Sequence, residues 1–396
     1  MENKRREPLF HIVKRDTLPA WQSVGIRIIA ILIALVVCAI LTTALTGDNP
    51  FDVYYTMFQG AFGTERKTWF TLRDLSILLL ISLALTPAFK MCFWNIGGEG
   101  QVLAGALAAA SCMICLEDKI PDPVIVLLMI VTSIFAGAFW AFIPAICKAV
   151  WNTNETLSTL MMNYIATQLV AFFIIKWEVP KGSGKIGMIC QDSHVGWLVD
   201  PMGNKFLLSI IVAAVITVIM YIYLKYTKHG YEIAVLGGSV QTARYAGIKV
   251  GKVIVRTVCL SGALCGVVGL LLVGSVNHTL TTTIVGGQGF TAVMVSWLAQ
   301  FNPFVMVLTS LLIIFLDRGA SAIATSFGVN ESFSDMITGI ILFFIIGCEF
   351  FIRYKVIFKK NSAEATVNTA KAEAKENSTE KIKDKATANE EKEDEE

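Results

Sequence analysis

Charge is scarce in this chain of 396 residues: 16% are Asp, Glu, Lys or Arg, against 55% hydrophobic. That balance excludes an ordinary soluble domain, and several apolar segments exceed the roughly 18 residues that span a bilayer. The short alternating segments of a membrane β-barrel are missing. Histidine is rarer still, with four in the chain. No His-Glu group and no serine with a nearby base stands at workable spacing, so a membrane-embedded enzyme has little to work with. The run GGQG at 286–289 lacks the following Lys-Ser/Thr of a phosphate loop and follows no strand, so the chain carries no motif for hydrolysing ATP. The nine cysteines give no disulfide framework: eight lie in or at the ends of apolar runs, and Cys190 alone lies in a long polar loop. Cys112-x-x-Cys115 sits in an apolar helix with no further His or Cys nearby, and reads as two core thiols, not a metal or redox pair.

What remains is an all-α polytopic membrane protein. Met1 to Gln22 is basic and too long to be a secretory signal, and reads as a cytoplasmic segment. Apolar runs then predict about ten spans: 24–46, 72–92, 103–116, 124–147, 156–175, 206–226, 253–276, a short eighth at 290–301, 304–325 and 336–353. A possible interfacial helix lies at 51–62, and the longest loop, 176–205, lies outside. Ten spans put both termini in the cytoplasm. Lys90, Lys148, Lys225, Lys228, Lys359 and Lys360 then share one side, as the positive-inside rule requires. The formal charge of +2 hides a split. Residues 361–396 hold 6 Lys and 11 Asp/Glu, against 27 basic and 20 acidic residues elsewhere. The chain thus divides into a cytoplasmic segment 1–23, a transmembrane domain 24–355 and an acidic tail 356–396 whose composition predicts disorder.

Four polar stretches interrupt this pattern. Thr227 to Lys252 carries Lys228, Arg244, Lys249 and Lys252 with Glu232 as its only acid. After an apolar patch at 234–236, Gly237-Gly238 is expected to break the chain. Ser239 can then cap a short helix through Gln241, Thr242, Ala243, Arg244, Tyr245 and Ala246 to a stop at Gly247. Such a helix suits a partner's groove, and a solvated basic loop fits the charges equally. Trp94-Asn95-Ile96-Gly97-Gly98-Glu99-Gly100-Gln101 lies between two spans and cannot be a lipid-facing helix. Its Glu99 is either a functional carboxylate or the tip of a tight turn. In the fifth span Asn163 is either glue between helices or a donor to a cavity, and Thr153 or Asn154 can cap that span. The last stretch is Gly286-Gly287-Gln288-Gly289. Two glycine-interrupted places, in positions that could correspond, are a pointer to a midplane substrate site. Gly262-x-x-x-Gly266 signals close helix packing, and Asp317-Arg318 could pair with each other.

These residues resemble a known family. NIGGEGQ at 95–101 is similar to the NIG-x-EGQ motif of permease subunits of ATP-binding cassette (ABC) importers for simple sugars, nucleosides and branched-chain amino acids. GYEIAVLGGSVQTARYAGI at 230–248 resembles that family's cytoplasmic coupling segment. LSGALCGVVGLL at 260–271 and GGQGFTAVMVSWLAQFNP at 286–303 match in order and spacing, and the resemblance covers roughly 24 to 355. NETLSTLMMNYIA at 154–166, with the extended N-terminus, looks most like nucleoside (guanosine or purine-type) uptake permeases. The chain departs from that pattern at Ile233 and Ser239, where relatives usually carry Arg and Asn.

The resemblance implies a bacterial cell-membrane importer with no cofactor. Its pore would be built with a second, identical or homologous, permease subunit and powered by cytoplasmic ABC ATPases. An extracellular binding lipoprotein would supply it. Ser239–Gly247 would take the coupling stroke, while Trp94, Asn95, Glu99, Gln101, Asn163, Gln288 and Phe290 would line the path, Trp94 or Phe290 stacking on a base. Two alternatives stand beside this: an importer of simple sugars, and a self-sufficient ion-coupled transporter or channel. For the latter, Glu99 with Asp317 and Arg318 is thin material for a relay.

Overall fold

The computed structural model describes residues 10–14, 20–47, 49–117, 119–328 and 331–358. These residues are helical almost throughout and fall into two units, one within Thr46–Thr338, the other drawn from Met1–Leu45 and Gly339–Glu396.

The smaller unit contains α1 (Ala20–Thr46), most of α13 (Glu331–Arg353), and a ribbon of β1 (Phe10–Lys14) antiparallel to β2 (Tyr354–Phe358). Phe10 faces Phe358 and Lys14 faces Tyr354. The ribbon was not expected from the sequence. Both runs are rich in aromatic and β-branched residues, and a pairing between distant parts of a chain leaves no local signal. Residues 359–396, which include most of the acidic tail, lie outside the described residues.

The larger unit runs through α2 (Pro50–Phe62), α3 (Glu65–Lys90), α4 (Gly98–Leu116), α5 (Asp122–Trp151), α6 (Glu155–Trp177), α7 (Leu207–Tyr226), α8 (Lys228–Gly238), α9 (Val240–Tyr245), α10 (Val250–Leu271), α11 (Gln288–Leu298) and α12 (Pro303–Ser326). A π-helical turn, Leu272–Asn277, extends α10. Among the described residues, seven helices are long and apolar enough to cross a bilayer: α3, α4, α5, α6, α7, α10 with its extension, and α12. The expected interfacial helix is α2. The short eighth span is α11, whose 11 residues reach only partway across at 1.5 Å each.

Burial sorts these helices into layers. α3 and α10 are mostly enclosed, whereas α5, α6 and α7 turn much of their surface outward. On α5, Leu127, Val131, Phe135 and Phe139 stand exposed at four-residue spacing, the stripe a lipid-facing helix needs. Lipid offers no hydrophobic gain for helix pairing, so the core relies on close backbone approach. Gly262 and Gly266 of α10 lie against the carbonyls of Gly137 and Ser133 on α5, and Gly266 and Gly269 meet α4 at Gly105 and Ala106. A Cβ at Gly137, Gly262, Gly266 or Gly269 would collide with a neighbouring helix backbone.

Candidate functional site

The basic segment begins with a helix that sequence reasoning missed. Thr227 Oγ1 accepts from the Gly230 N–H at 3.1 Å and starts α8, which continues through Gly237 and Gly238. The expected break therefore falls one residue later, at Ser239. Gly237 is helical because of its neighbour, not its freedom: a Cβ there would strike the carbonyl oxygen of Lys90. Ser239 Oγ then accepts from the Thr242 N–H at 3.3 Å and caps α9, which ends before Gly247 turns left-handed at φ 74°.

This helical pair packs onto the ends of three long helices. Ile233, Leu236 and Ala243 are buried with Ala88 in the last turn of α3, Met91 and Phe93 just after it, Ala141 and Ala145 on α5, and Val253 and Val258 on α10. Ile233 is fully buried inside this apolar cluster, where an unpaired charge would be costly. Serine at 239 serves the capping role for which Asn is also favoured. The thiol of Cys92 donates to the carbonyl of Gly237 at 3.3 Å, and Arg256 pairs with Glu232 at 2.9 Å. Gln241, Thr242, Arg244, Tyr245, Ala246 and Gly247 all face outward, Tyr245 at 93% exposure. Beside them a cavity of about 700 Å³ is bounded by Cys92, Lys148, Asn152, Glu155, Ser239 and Arg244, with Lys148 and Glu155 paired at 2.9 Å.

From Cys92 the chain passes into the polar turn. Asn95 is fully buried: its Oδ1 accepts from the Gly97 N–H and from Gln101 Nε2, and its Nδ2 donates to Ser261 Oγ at 3.2 Å. Asn163 Oδ1 accepts from the Gly100 N–H at 2.8 Å while its Nδ2 donates to the Ile96 carbonyl at 2.9 Å. Thr159 Oγ1 accepts from the Ile96 N–H. Thus Asn95, Gln101 and Asn163 hold the turn from within, with α6 bracing its outer edge. Asn154 caps α6 by accepting from the Leu157 N–H at 3.2 Å.

Glu99, Gln288 and Phe290 come together where α4 meets α11. The Glu99 carboxylate accepts from the N–H groups of Gly287 and Gly289 at 3.0 and 2.9 Å, linking the two glycine-interrupted stretches directly. Phe290 is exposed, and Gln288 is half-buried with its Oε1 lacking a partner. Trp94 lies toward the other end of α11, stacked on Trp297 with centroids 5.1 Å apart and planes at 21°. Phe89 and Phe301 approach this pair edge-on, and both indoles stay open to the surroundings. Trp297 and Cys92 carried no signal in the sequence, and Gly237 read as a chain break, because each gains its meaning from a residue far along the chain.

Two features lie away from this site. Arg318 directs its guanidinium at Asp74 of α3, which also accepts from Arg73 at 2.8 Å, so Arg318 reaches a carboxylate on another helix beyond its sequence neighbour Asp317. In the loop 178–206, Glu178 accepts from the Gly182 and Gly184 N–H groups at 2.7 and 2.8 Å. Those two amides, helped by Lys181, hold its carboxyl below the usual range. His278 stacks flat on Trp197 at 3.8 Å. Burial lowers its basicity below the ordinary histidine value, more than Asp200 raises it, with Lys205 and His194 also lowering it. Among the described residues no group of three His, Cys, Asp or Glu is placed to hold a metal ion.

Comparison with known proteins gives this arrangement a context. The profile of a family described as branched-chain amino acid transport system / permease component matches residues 68–346. The chain is 29% identical over 353 residues to the glucose ABC transporter permease protein TsgB13 of Haloferax volcanii, covering 86% of this chain and 92% of that one. It is 28% identical over 333 residues to the nucleoside ABC transporter permease protein NupB of Lactococcus lactis, covering 82% and 91%. It is 28% identical over 325 residues to the guanosine ABC transporter permease protein NupP of Bacillus subtilis, covering 81% and 92%.

Proposed function

The chain belongs to the branched-chain amino acid transport system permease family, and from that premise we propose that it is the pore-forming subunit of an ATP-driven nucleoside importer in a bacterial cell membrane. Cytoplasmic ABC ATPases supply the work, a second permease subunit completes the pore, and an extracellular binding protein delivers the solute. Both termini face the cytoplasm.

The observation that supports this reading is the joint between α8 and the end of α3. Nucleotide-driven closure of the ATPases pushes on the outward side chains of α9, Arg244 and Tyr245 foremost. The apolar cluster around Ile233 and Leu236 passes that push to Met91–Phe93, and so to the turn that carries Trp94 and Glu99. Asn95, Gln101 and Asn163 keep the turn rigid, while Trp94, Glu99, Gln288 and Phe290 face the solute. Packed elements with two arrangements carry such coupling, because close-packed cores switch rather than deform. The chain itself hydrolyses nothing.

The test is radiolabelled nucleoside uptake in cells whose Arg244 and Tyr245 are both replaced by Asp. These side chains are exposed, so folding is spared while the docking surface reverses its charge. Uptake should fall to background at normal membrane abundance; undiminished uptake rejects the coupling role. A second reading, import of a simple sugar, is favoured by the match to a glucose permease. Competition of nucleoside uptake by excess unlabelled glucose separates the two.

A further inference from the structure

The amide cradle at the head of α11 is filled by the protein's own side chain. Gly286 and Gly287 both take left-handed backbone, φ 64° and 76°, which turns the N–H groups of Gly287 and Gly289 toward one point. Successive amides at a helix N-terminus form a ready anion site. The Glu99 carboxylate occupies it, one oxygen on each amide, although 188 and 190 residues separate the partners. Gly289 makes this possible, since a Cβ there would press on the Glu99 backbone. Among the described residues Glu99 has no Lys or Arg partner, so the charge rests on these amides. Each carboxylate oxygen keeps a lone-pair direction free beyond the amide it accepts. At the same helix head, Gln288 Oε1 is buried without a partner, an unmet acceptor.

We propose that Glu99, seated on Gly287 and Gly289, sets the charge selectivity of the solute path, admitting neutral donor-rich solutes and barring their phosphorylated forms. The inference rests on the importer reading above and narrows it. A phosphate-bearing solute meets a fixed negative charge and finds this cradle taken. The hydroxyl and amino donors of an uncharged nucleoside meet an acceptor, the Glu99 carboxylate.

Glu99→Ala empties the cradle, and Glu99→Asp shortens its occupant while keeping the charge. The first measurement is phosphorus NMR line broadening of inorganic phosphate added to the purified full-length chain in lipid nanodiscs. Phosphate should broaden with Glu99→Ala, be displaced by formate, and stay sharp with the native chain. Equal broadening with both, or with neither, overturns the cradle. The second is nucleoside uptake in cells, which should fall about tenfold in Glu99→Ala, the scale of one lost charge-assisted hydrogen bond, and partly return in Glu99→Asp. Should Glu99→Ala fail to reach the membrane, Glu99→Gln keeps the side chain's length: its uptake should become inhibitable by a nucleoside monophosphate that leaves the native chain unaffected. Persistent insensitivity overturns the selectivity role. Phosphate binding is read without transport, so its failure is distinct from failure of the importer reading, in which the native chain takes up no nucleoside.

Discussion

Cys92 and Gly237 are 145 positions apart in the chain, yet the thiol of one donates to the carbonyl of the other at 3.3 Å. Cys92 holds left-handed backbone (φ 60°) to do so, and Gly237 lies directly on the Lys90 carbonyl. The contact places the basic helical pair against the first residues of the polar turn.

Gly237→Val should therefore separate energy use from transport. Its added carbons collide with the end of α3, an overpacking cost of about 1–3 kcal/mol. Nucleoside uptake should collapse while nucleotide hydrolysis by the assembled importer persists, measured as molecules moved per ATP consumed. An unchanged ratio would show that this joint transmits nothing.

Gly266→Leu should act on stability instead. Position 266 meets the backbone of both α4 and α5, so a large side chain forces two helices apart. Gly266→Ala is expected to cost about 1–3 kcal/mol and Gly266→Leu more. Thermal unfolding in detergent, followed by fluorescence-detected size exclusion, reads both.

Asn163→Ala leaves the Gly100 N–H and the Ile96 carbonyl without partners inside the turn, costing about 1–3 kcal/mol for each buried group left unsatisfied. Asn163→Asp restores an acceptor for Gly100 but no donor for Ile96. It should recover part of the lost melting temperature, and recovering none would assign Asn163 another role.

Acid should loosen the loop 178–206 in two steps. His278 has a folded value below the ordinary 6.5, so the native loop resists its protonation. Stability is complete above 6.5 and declines as pH falls below it toward the folded value. Glu178 has a folded value below the ordinary 4.5, so its contribution is present above 4.5 and is lost as pH falls through the folded value. Hydrogen-exchange protection across the loop, corrected for the intrinsic rate at each pH, should fall in both windows. His278→Phe should remove the upper step and Glu178→Gln the lower.

Much of the layout was legible beforehand. The apolar runs located the helices, Ser239 announced the cap of α9, and Gly262-x-x-x-Gly266 announced the tight crossing of α10. What was not legible involved partners. Asn95, Gln101 and Asn163 looked equally able to face a solute or a backbone, and only their buried hydrogen bonds show them bracing the turn. Arg318 stood beside Asp317 in the sequence, yet its guanidinium reaches Asp74 of α3 across a helix interface. Gly237 looked like a chain breaker, because a glycine kept for close approach and one kept for freedom are spelled alike.

Taken alone, the sequence determined that the chain lies in a membrane as a series of helices and that its polar breaks fall where they do. Apolar length and unsatisfied backbone are local quantities, and a bilayer punishes them residue by residue. Tertiary structure alone decided that Glu99 caps α11, that Trp94 lies on Trp297, and that α8 rests on the end of α3. Those pairings depend on how helices pack across long stretches of intervening chain, where a fraction of a turn changes which side chains meet.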